Sequence, residues 1–278
     1  MLIQSSDIVW HARSDGDENA PPLVLLHGFA QSLHSFAPIE TELSKRFRVL
    51  RVDLPFHGQT FVEKHVELDW PKLCANLHQA IAKLELRPAH WFGYSQGGRV
   101  ALMCALASPG RVKSLALLGA SPGYANEAER ELRRQSDKLL GDNIVGRGME
   151  WFASYWEALP IFATQKLLPE EARRLIRSER MASTPQGLRL ALLTYGTGTM
   201  PDCSGELSAW TKPLFLAAGE LDKKFVESNA RLAKASRSEL LRQHVVRGAG
   251  HAAHLEQPAE FAKLLIEFYK SQRDLSHE

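Results

Sequence analysis

The sequence predicts an α/β protein in which a mostly parallel central sheet is flanked by helices. Short apolar runs alternate along the chain with longer segments of helical periodicity, and each run is bounded by turn or capping residues. This rhythm is typical of parallel strands that are buried between two layers of helices. The predicted strands are residues 23–26, 49–52, 91–92, 115–118, 214–218 and 245–246.

Helical segments lie between these runs and should cover the faces of the sheet. Residues 70–86 carry apolar side chains at helical intervals, and residues 100–106 and 261–268 also have a helical pattern. In the first segment these side chains are Leu73, Leu77, Ile81 and Leu84. Residues 8–11 predict one further strand near the start, followed by a turn at residues 14–17.

The alternation stops between Ser121 and Pro213. About four helical patterns follow one another there, with no convincing strand, at residues 126–140, 146–159, 169–183 and 187–195. We therefore predict a core formed by residues 1–120 and 213–278 and a helical lid insertion formed by residues 121–212. Open α/β sheets bind ligands beyond the carboxyl ends of their strands, where such an insertion would cover the site. The alternative is an appended helical subdomain with no part in catalysis.

Composition argues against several classes of partner. The chain has 34 Lys and Arg against 32 Asp and Glu, and a net charge of +2 gives no field that would recruit nucleic acid or an anionic membrane. Cys74, Cys104 and Cys203 are far apart and lack metal-ligand spacing, so neither a disulfide framework nor a metal site is predicted. No secretory leader and no apolar run of about 18 residues is visible. We expect a cytoplasmic protein that acts on a small molecule without a cofactor, and the oligomeric state stays open.

The segment Gly93-Tyr94-Ser95-Gln96-Gly97 matches the nucleophile-elbow pattern of the α/β-hydrolase fold. A predicted strand precedes it and a predicted helix follows it, which is the context that the pattern requires. Glycines are needed because the sharp turn leaves no room for side chains beside the serine. The alternative is a tight turn with an idle serine, but the flanking elements favour a nucleophile at Ser95.

A serine of this kind needs a base and an orienting acid, which follow it in the order acid, then histidine. Asp222 comes just after the strand at residues 214–218, and His251 comes just after the last predicted strand. We predict that Asp222 and His251 complete a triad with Ser95. His254 is the competing candidate for the base and Glu220 for the acid, each with a structural role as its simpler explanation.

Two backbone amides are placed to stabilise a negative oxygen. Phe29 follows the strand at residues 23–26, and Gln96 begins the helix after Ser95, so their amides should point at one position beside the serine. His27 is expected to be structural, and residues 53–58 are expected to shape a loop.

Arginine distinguishes this chain from a simple esterase. Arg99 lies one helical turn after Ser95 and should be near its hydroxyl. A pocket that binds a neutral ester would not need this positive charge. A surface arginine is the alternative explanation. Further arginines cluster in the insertion at Arg130, Arg133 and Arg134 and at Arg173, Arg174, Arg177 and Arg180. Most of these should lie on solvated helix faces, and composition alone does not select among them.

Several motifs together resemble one family, over about residues 23–258. They are Gly93-Tyr94-Ser95-Gln96-Gly97-Gly98-Arg99; Pro122-Gly123 with Arg130 and Arg133 after it; Trp156 ahead of Leu159-Pro160-Ile161-Phe162-Ala163; Gly196-Thr197-Gly198; and Gly219-Glu220-Leu221-Asp222-Lys223-Lys224-Phe225. The chain resembles the SHCHC (2-succinyl-6-hydroxy-2,4-cyclohexadiene-1-carboxylate) synthases of menaquinone biosynthesis. The motifs in the insertion and the Asp-x-Lys-Phe ending separate this family from generic esterases.

The resemblance implies a lyase that removes a proton from a cyclohexene-carboxylate substrate and expels its enolpyruvyl group as pyruvate, without consuming water. It makes Ser95, Asp222 and His251 the triad, with the serine as the base, and Phe29 and Gln96 the amide donors. The residues that it implies for binding the substrate carboxylates and ring are Tyr94, Arg99, Arg133, Trp156 and Arg180. Arg177 is an alternative to Arg180, because the stretch from Ala163 to Glu171 is longer than in some relatives.

Other functions fit the same core motifs. A serine hydrolase acting on a carboxylate-bearing ester, thioester or C–C bond would use the same triad through an acyl-enzyme. A non-catalytic binding protein can also keep this fold, although an intact triad argues against it. The chain also departs from the family at Phe56, where a glycine is usual, and at Thr60, where a serine is common. Because of these two departures, the sequence does not predict the backbone conformation of that loop.

Overall fold

The computed structural model describes residues 1–63, 66–86 and 88–271, which contain a nine-stranded sheet. The strands are β1 Leu2–Gln4, β2 Ile8–Asp15, β3 Pro22–Leu26, β4 Arg48–Val52, β5 Phe61–Val62, β6 Ala89–Tyr94, β7 Val112–Leu118, β8 Leu214–Gly219 and β9 Leu241–Val246. Their order in the sheet is β1-β2-β4-β3-β6-β7-β8-β9, and β5 pairs with β2. All pairs from β4 through β3 to β9 are parallel, whereas β2 is antiparallel to β1, β4 and β5. The predicted mostly parallel sheet is therefore confirmed.

Helices cover both faces of the sheet. Val24 and Leu26 of β3 pack in one core cluster with residues of helices α2 (Trp70–Lys83) and α3 (Gln96–Ala107). Leu23 and Leu25 pack in the other cluster with residues of helices α1 (Ala37–Ser44) and α10 (Pro258–Lys270). Successive strand residues point to opposite faces, so a strand that is apolar along its length is buried from both sides. The helices are α1 Ala37–Ser44, α2 Trp70–Lys83, α3 Gln96–Ala107, α4 Glu127–Glu157, α5 Glu170–Met181, α6 Pro185–Tyr195, α7 Ser204–Ser208, α8 Lys223–Ala235, α9 Ala253–Glu256 and α10 Pro258–Lys270.

Several elements are longer than the sequence patterns predicted, or were missed. The apolar run at residues 91–92 lies within β6, which is buried along its whole length, and the run at residues 245–246 ends β9, where Val246 is buried. Strand β2 extends into the predicted turn as far as Asp15. Residues 241–245 of β9 are intermediate or exposed, which removes the apolar signal from most of that strand. The strands β1 and β5 and the helices α1, α7, α8 and α9 were not predicted. The helix predicted at residues 70–86 ends at Lys83, because Glu85 has a positive φ of 58°.

The insertion between β7 and β8 consists of α4 to α7 and a 3₁₀ segment, Pro160–Leu167. The two helices predicted at residues 126–140 and 146–159 form the single element α4. Its helical backbone is interrupted at Gly148, with φ 80° and ψ 175°. A small apolar cluster centred on Phe152 and Leu188 joins the insertion to Ala30 of the core. Within the described residues, no helix is both apolar enough and long enough to span a bilayer.

Candidate active site

Ser95 occupies the turn between β6 and α3 in a strained conformation, with φ 52° and ψ −111°. A side chain at Gly97 would place its Cβ 2.1 Å from the Leu26 carbonyl oxygen, and one at Gly93 would lie 2.4 Å from the Gly97 carbonyl oxygen. Both positions therefore require glycine. The Ser95 N–H donates to the Leu118 carbonyl of β7 (2.8 Å), which fixes the strained residue against the neighbouring strand.

Ser95, His251 and Asp222 form one hydrogen-bonded row. The His251 Nε2 lies 3.0 Å from the Ser95 hydroxyl, and the His251 Nδ1 lies 2.6 Å from a carboxylate oxygen of Asp222. His251 is 3% exposed and Asp222 is 7% exposed. The Nδ1–H of His251 donates to the Asp222 carboxylate, which leaves Nε2 as the acceptor that faces the serine. Gly119 makes room for the ring, since a Cβ there would lie 2.7 Å from the His251 Cε1.

The two competing candidates lie elsewhere. His254 is fully buried against Tyr94 (ring centroids 4.4 Å apart) and Phe36, and within the described residues neither ring nitrogen has a hydrogen-bond partner. Burial, with a smaller effect of the His251 charge, lowers the pKa of His254 to about 3. Glu220 accepts a hydrogen bond from the Gly248 N–H (2.9 Å). The geometry thus brings His251 and Asp222, rather than these two residues, to Ser95.

Phe29 and Gln96 both line the cavity that contains Ser95. Among the described residues, neither backbone N–H donates a hydrogen bond to protein. Gln96 is the first residue of α3, so its amide belongs to the group that a helix leaves unpaired at its start. The two amides are available to a ligand oxygen.

The loop after β4 is held by buried side chains. Asp53 accepts hydrogen bonds from the Leu33 and Gln59 amides at 2.7 and 3.0 Å, and the Thr60 hydroxyl donates to the Asp53 carbonyl (2.6 Å). Phe56 has a positive φ of 67°, which explains why a glycine is usual at this point in the resembled family. Its ring stacks on that of Tyr195 at a centroid distance of 6.4 Å.

His27 also has a structural place. Its Nε2 accepts a hydrogen bond from the Leu54 N–H (2.9 Å), so its Nδ1 carries the proton and donates to the Gly28 carbonyl (2.8 Å). Burial lowers the pKa of His27. The neutral ring therefore joins the loops after β3 and β4.

A cavity of about 760 Å³ opens beside Ser95 between the core and the insertion. It brings together many of the residues singled out in the sequence: Ser95, His251, Phe29, Gln96, Arg99, Arg133 and Trp156 line it, while Tyr94 and Arg180 are not among its lining residues. Sequence reasoning also missed part of the wall, including Tyr124 and the exposed cations Lys224 and Arg231 of α8. Lys224 and Arg231 are seven residues apart and therefore lie on one face of α8, and this spacing was the sequence signal that could have predicted them.

Arg99 is a buried cation in this wall. It is 8% exposed, and no carboxylate of the described residues forms an ion pair with it; its Nε also lacks a hydrogen-bond partner there. Burial, reinforced by the Arg133 charge, lowers the pKa of Arg99 to about 10, so the guanidinium stays charged at neutral pH. Arg133 is paired with Asp137 at 2.7 Å. An anionic ligand is the missing partner that this arrangement suggests.

Arg180 and Tyr94 lie behind the cavity wall. Arg180 donates to Glu157 (3.1 Å) and Gln165 (2.8 Å), and its guanidinium lies 5.5 Å from the centroid of the Phe162 ring. The Tyr94 ring packs between His254 and His251, 5.3 Å from the His251 centroid.

Arg177, the alternative lid ligand, shares Glu157 with Arg180 at 2.8 Å and also pairs with Glu150. The Arg177 side chain is 32% exposed and that of Arg180 is 5% exposed. Arg180 is buried beside Phe162, which itself lines the cavity, and this position favours Arg180 over Arg177 as the candidate substrate ligand.

Within the described residues, no group of three or more His, Cys, Asp and Glu side chains is arranged to hold a metal ion. What the site offers instead is a hydroxyl paired with an imidazole, two open amides and a buried positive charge. Such a set suits proton transfer or nucleophilic attack on a carboxylate-bearing molecule.

The sheet, the elbow and the hydrogen-bonded row define an enzyme of the α/β-hydrolase class, and residues 21–258 match the family model described as the alpha/beta hydrolase fold. The MenH structure from S. aureus superposes with a TM-score of 0.90 and 30% identity, over 95% of this chain and 98% of that one. A relative in Bacillus subtilis (strain 168), assigned as a 2-succinyl-6-hydroxy-2,4-cyclohexadiene-1-carboxylate synthase, is 34% identical over 97% of this chain and 98% of its own length. A synthase of the same name in Citrobacter koseri is 31% identical, over 88% of this chain and 92% of its own. The chain belongs to the 2-succinyl-6-hydroxy-2,4-cyclohexadiene-1-carboxylate synthase family of α/β hydrolases, which confirms the resemblance drawn from its motifs.

Proposed function

We propose that this protein is a lyase of menaquinone biosynthesis. It converts 2-succinyl-5-enolpyruvyl-6-hydroxy-3-cyclohexene-1-carboxylate to 2-succinyl-6-hydroxy-2,4-cyclohexadiene-1-carboxylate and pyruvate. The relatives carry the name of this product. The single observation that supports it most is the buried, unpaired Arg99 in the cavity that opens on Ser95. A substrate with several carboxylates supplies the anion that Arg99 lacks.

In this mechanism Ser95 and His251 act together as the base. The serine hydroxyl, whose proton is drawn by His251 Nε2, removes a carbon-bound proton from the ring. The proton comes from C2, and the electron pair of that C–H bond forms the C2=C3 double bond. The electron pair of the existing C3=C4 double bond moves to form C4=C5, and the C5–O bond to the enolpyruvyl group breaks. The enolpyruvyl group leaves as the enolate of pyruvate and takes up a proton to become pyruvate. A positioned base of this kind accelerates a reaction about 10²–10⁴-fold.

The arginines hold the carboxylates of the substrate. Arg99 approaches from the core and Arg133 from α4, and each well-placed charged hydrogen bond contributes about 1.5–3 kcal/mol. Trp156 adds an apolar wall for the ring. The open amides of Phe29 and Gln96 would stabilise the negative oxygen that develops as the proton is removed.

The insertion acts as the lid of this site. Its residues 121–212 supply Arg133 and Trp156 to the cavity, so a bound substrate contacts the core and the insertion at once. Arg180 would join the substrate if its side chain left Glu157 and Gln165. Closure would exclude water from a reaction that does not use it.

A pyruvate-release assay tests the proposal. The protein is mixed with the enolpyruvyl substrate, and pyruvate is followed with lactate dehydrogenase and NADH. We expect turnover in the parent and its near loss in Ser95→Ala and His251→Ala. Absence of pyruvate, together with rapid turnover of a simple ester such as p-nitrophenyl acetate, would overturn the lyase proposal.

The second candidate is a serine hydrolase that acts on a carboxylate-bearing ester, thioester or C–C bond. It is favoured by the hydrogen-bonded row and the two open amides, which also suit acyl transfer. A hydrolase would gain the mass of an acyl group on Ser95 during turnover, which intact-protein mass spectrometry detects. The lyase passes through no such adduct.

A further inference from the structure

The loop that carries His251 is held by three carboxylates. Asp222 binds the imidazole ring, and Glu220 accepts the Gly248 N–H at the start of the loop. Glu256 uses both of its oxygens: Oε2 accepts the Gly250 N–H at 2.6 Å, and Oε1 accepts the Ala252 N–H at 3.2 Å. The two amides that Glu256 binds are those of the residues immediately before and after His251.

Glu256 reaches this position because the chain turns back on itself after His251. The short helix α9 ends at Glu256, and the Glu256 N–H donates to the Ala252 carbonyl at 3.0 Å. One residue thereby both closes this turn and accepts the amides of its first residues. Hydrogen bonds from amides to an ionised carboxylate are about twice as strong as those between neutral groups.

The loop that carries His251 is also closely packed against its neighbours. A Cβ at Gly250 would lie 2.2 Å from the Thr164 hydroxyl of the insertion, and one at Gly219 would lie 2.0 Å from the Gly250 carbonyl oxygen. The peptide before His251 is thus packed between the end of β8 and the insertion. Its amide can be satisfied there by an acceptor that approaches from α9.

We propose that Glu256 is a positioning residue, which sets the direction of the His251 ring by holding the peptide N–H groups on both sides of it. It acts through the backbone and touches neither Ser95 nor substrate. This proposal rests on the proposed function only in taking His251 as the residue that activates Ser95. Because the geometry of a base must be correct within a fraction of an ångström, a small shift of this loop should slow the reaction of Ser95 far more than it weakens binding.

The test compares Glu256→Gln with Glu220→Gln. A glutamine has one acceptor oxygen and one NH₂ group, so at position 256 it can serve one amide and must turn a donor toward the other. At position 220, where one amide is bound, a glutamine can keep the contact. Each substitution therefore removes one formal negative charge, and only Glu256→Gln loses an amide contact next to His251.

Reactivity of Ser95 is measured with diethyl p-nitrophenyl phosphate, which phosphorylates an activated serine and releases p-nitrophenol, and turnover is measured by pyruvate release. We expect Glu256→Gln to lower the phosphorylation rate and kcat at least tenfold, with KM and Tm little changed. We expect Glu220→Gln to stay within twofold of the parent. The low-field proton resonance of the His251 ring N–H should move or broaden in Glu256→Gln alone.

A Glu256→Gln protein that is folded and phosphorylated within twofold of the parent rate would overturn the proposal. If that variant does not fold, Glu256→Asp, which keeps both oxygens on a shorter side chain, is measured in the same way, and an unchanged phosphorylation rate there would also overturn it. Because the phosphate reagent does not depend on the natural substrate, a parent that reacts with it but releases no pyruvate contradicts the lyase proposal alone.

Discussion

Arg99 shows, at the scale of one residue, that a side chain kept for function can lower the stability of the folded protein. A buried guanidinium loses its hydration, and among the described residues no carboxylate forms an ion pair with Arg99 in return; the Asp137 charge offsets this loss only in part. The nearby Arg133 adds repulsion, which is one cause of the lowered pKa of Arg99. Such a charge is expected to be retained for a ligand rather than for stability.

Replacement of Arg99 by methionine, which keeps most of its volume, should therefore separate binding from folding. We expect kcat/KM for pyruvate release to fall about 10- to 150-fold, the equivalent of one charged hydrogen bond of about 1.5–3 kcal/mol. The Tm should be unchanged or higher, because an unpaired buried charge is removed. Steady-state kinetics and thermal unfolding measure the two effects.

Arg134→Met is the matched control for Arg99. The Arg134 side chain is 38% exposed and pairs with Glu127 and Glu131 on the surface of α4. Its loss should leave kcat/KM within about twofold, since surface ion pairs contribute little. Equal kinetics for Arg99→Met and Arg134→Met would refute the role assigned to Arg99.

Phe56 carries a second cost at the residue scale, because a bulky side chain adopts the left-handed region there. We compare Phe56→Gly with Phe56→Ala, since both lose the ring contact with Tyr195 and only the glycine relieves the backbone. The glycine variant should be more stable than the alanine variant by about 1–2 kcal/mol. Urea unfolding gives this difference, and a more stable alanine variant would argue against strain at this position.

At the scale of the element, α4 is organised by its interruption at Gly148. The part before it carries Arg133 and the part after it carries Trp156, and both side chains line the same cavity. The φ and ψ of Gly148 lie in a region that is essentially reserved for glycine. The change of direction at this residue thus aims two parts of one helix at the site.

Gly148→Ala should lower the stability of the protein by about 1–3 kcal/mol and raise KM for the enolpyruvyl substrate, because the backbone must shift to accept a side chain. Gly146→Ala is the control, since that glycine is exposed and has open space around it. The control should be neutral or more stable by up to about 1 kcal/mol. Denaturant unfolding and kinetics distinguish the two, and equal behaviour would mean that the interruption is not required.

A comparison of the elements shows which of them the sequence patterns could predict. The apolar runs predicted the buried strands, because a strand with both faces covered needs apolar residues along its length. They did not predict α8, whose sequence is rich in charged residues and whose buried side chains are Phe225, Asn229 and Leu232. Patterns also split α4 in two, but they placed the break at residues 141–145, ahead of the interruption at Gly148.

Candidate site residues on the core were predictable because they follow strand ends or one fixed motif. Ser95, Asp222 and His251 lie at the ends of β6, β8 and β9, which the parallel topology brings to one edge of the sheet. The partners of Arg180 were not predictable, because Glu157 and Gln165 reach it through the packing of α4, the 3₁₀ segment and α5. Contacts of this kind depend on tertiary structure rather than on local pattern.

For the whole molecule, three buried neutral histidines set the response to acid. Burial lowers the pKa of His27, and burial with a neighbouring histidine charge lowers those of His57 and His254 to about 3. The unfolded chain binds protons at His57 and His254 below about pH 6.5, whereas the folded protein does not do so until near pH 3, and the pKa of His27 shifts in the same direction. Protons therefore favour the unfolded state, and stability falls as the pH decreases from 6.5 toward 3.

His254→Phe should weaken this acid response. The ring lies among Phe36, Phe92, Tyr94 and Phe261, which accept an aromatic side chain, and the substitution removes one titrating group. Between pH 7.5 and pH 5.0 the parent should lose about 2 kcal/mol more stability than the variant, the linkage expected for one histidine with an unfolded pKa of 6.5. Urea unfolding at the two pH values measures this difference within each protein, so a constant effect of repacking cancels. An equal loss in parent and variant would mean that His254 already binds its proton in the folded state, which would contradict its burial among aromatic rings without a hydrogen-bond partner in the described structure.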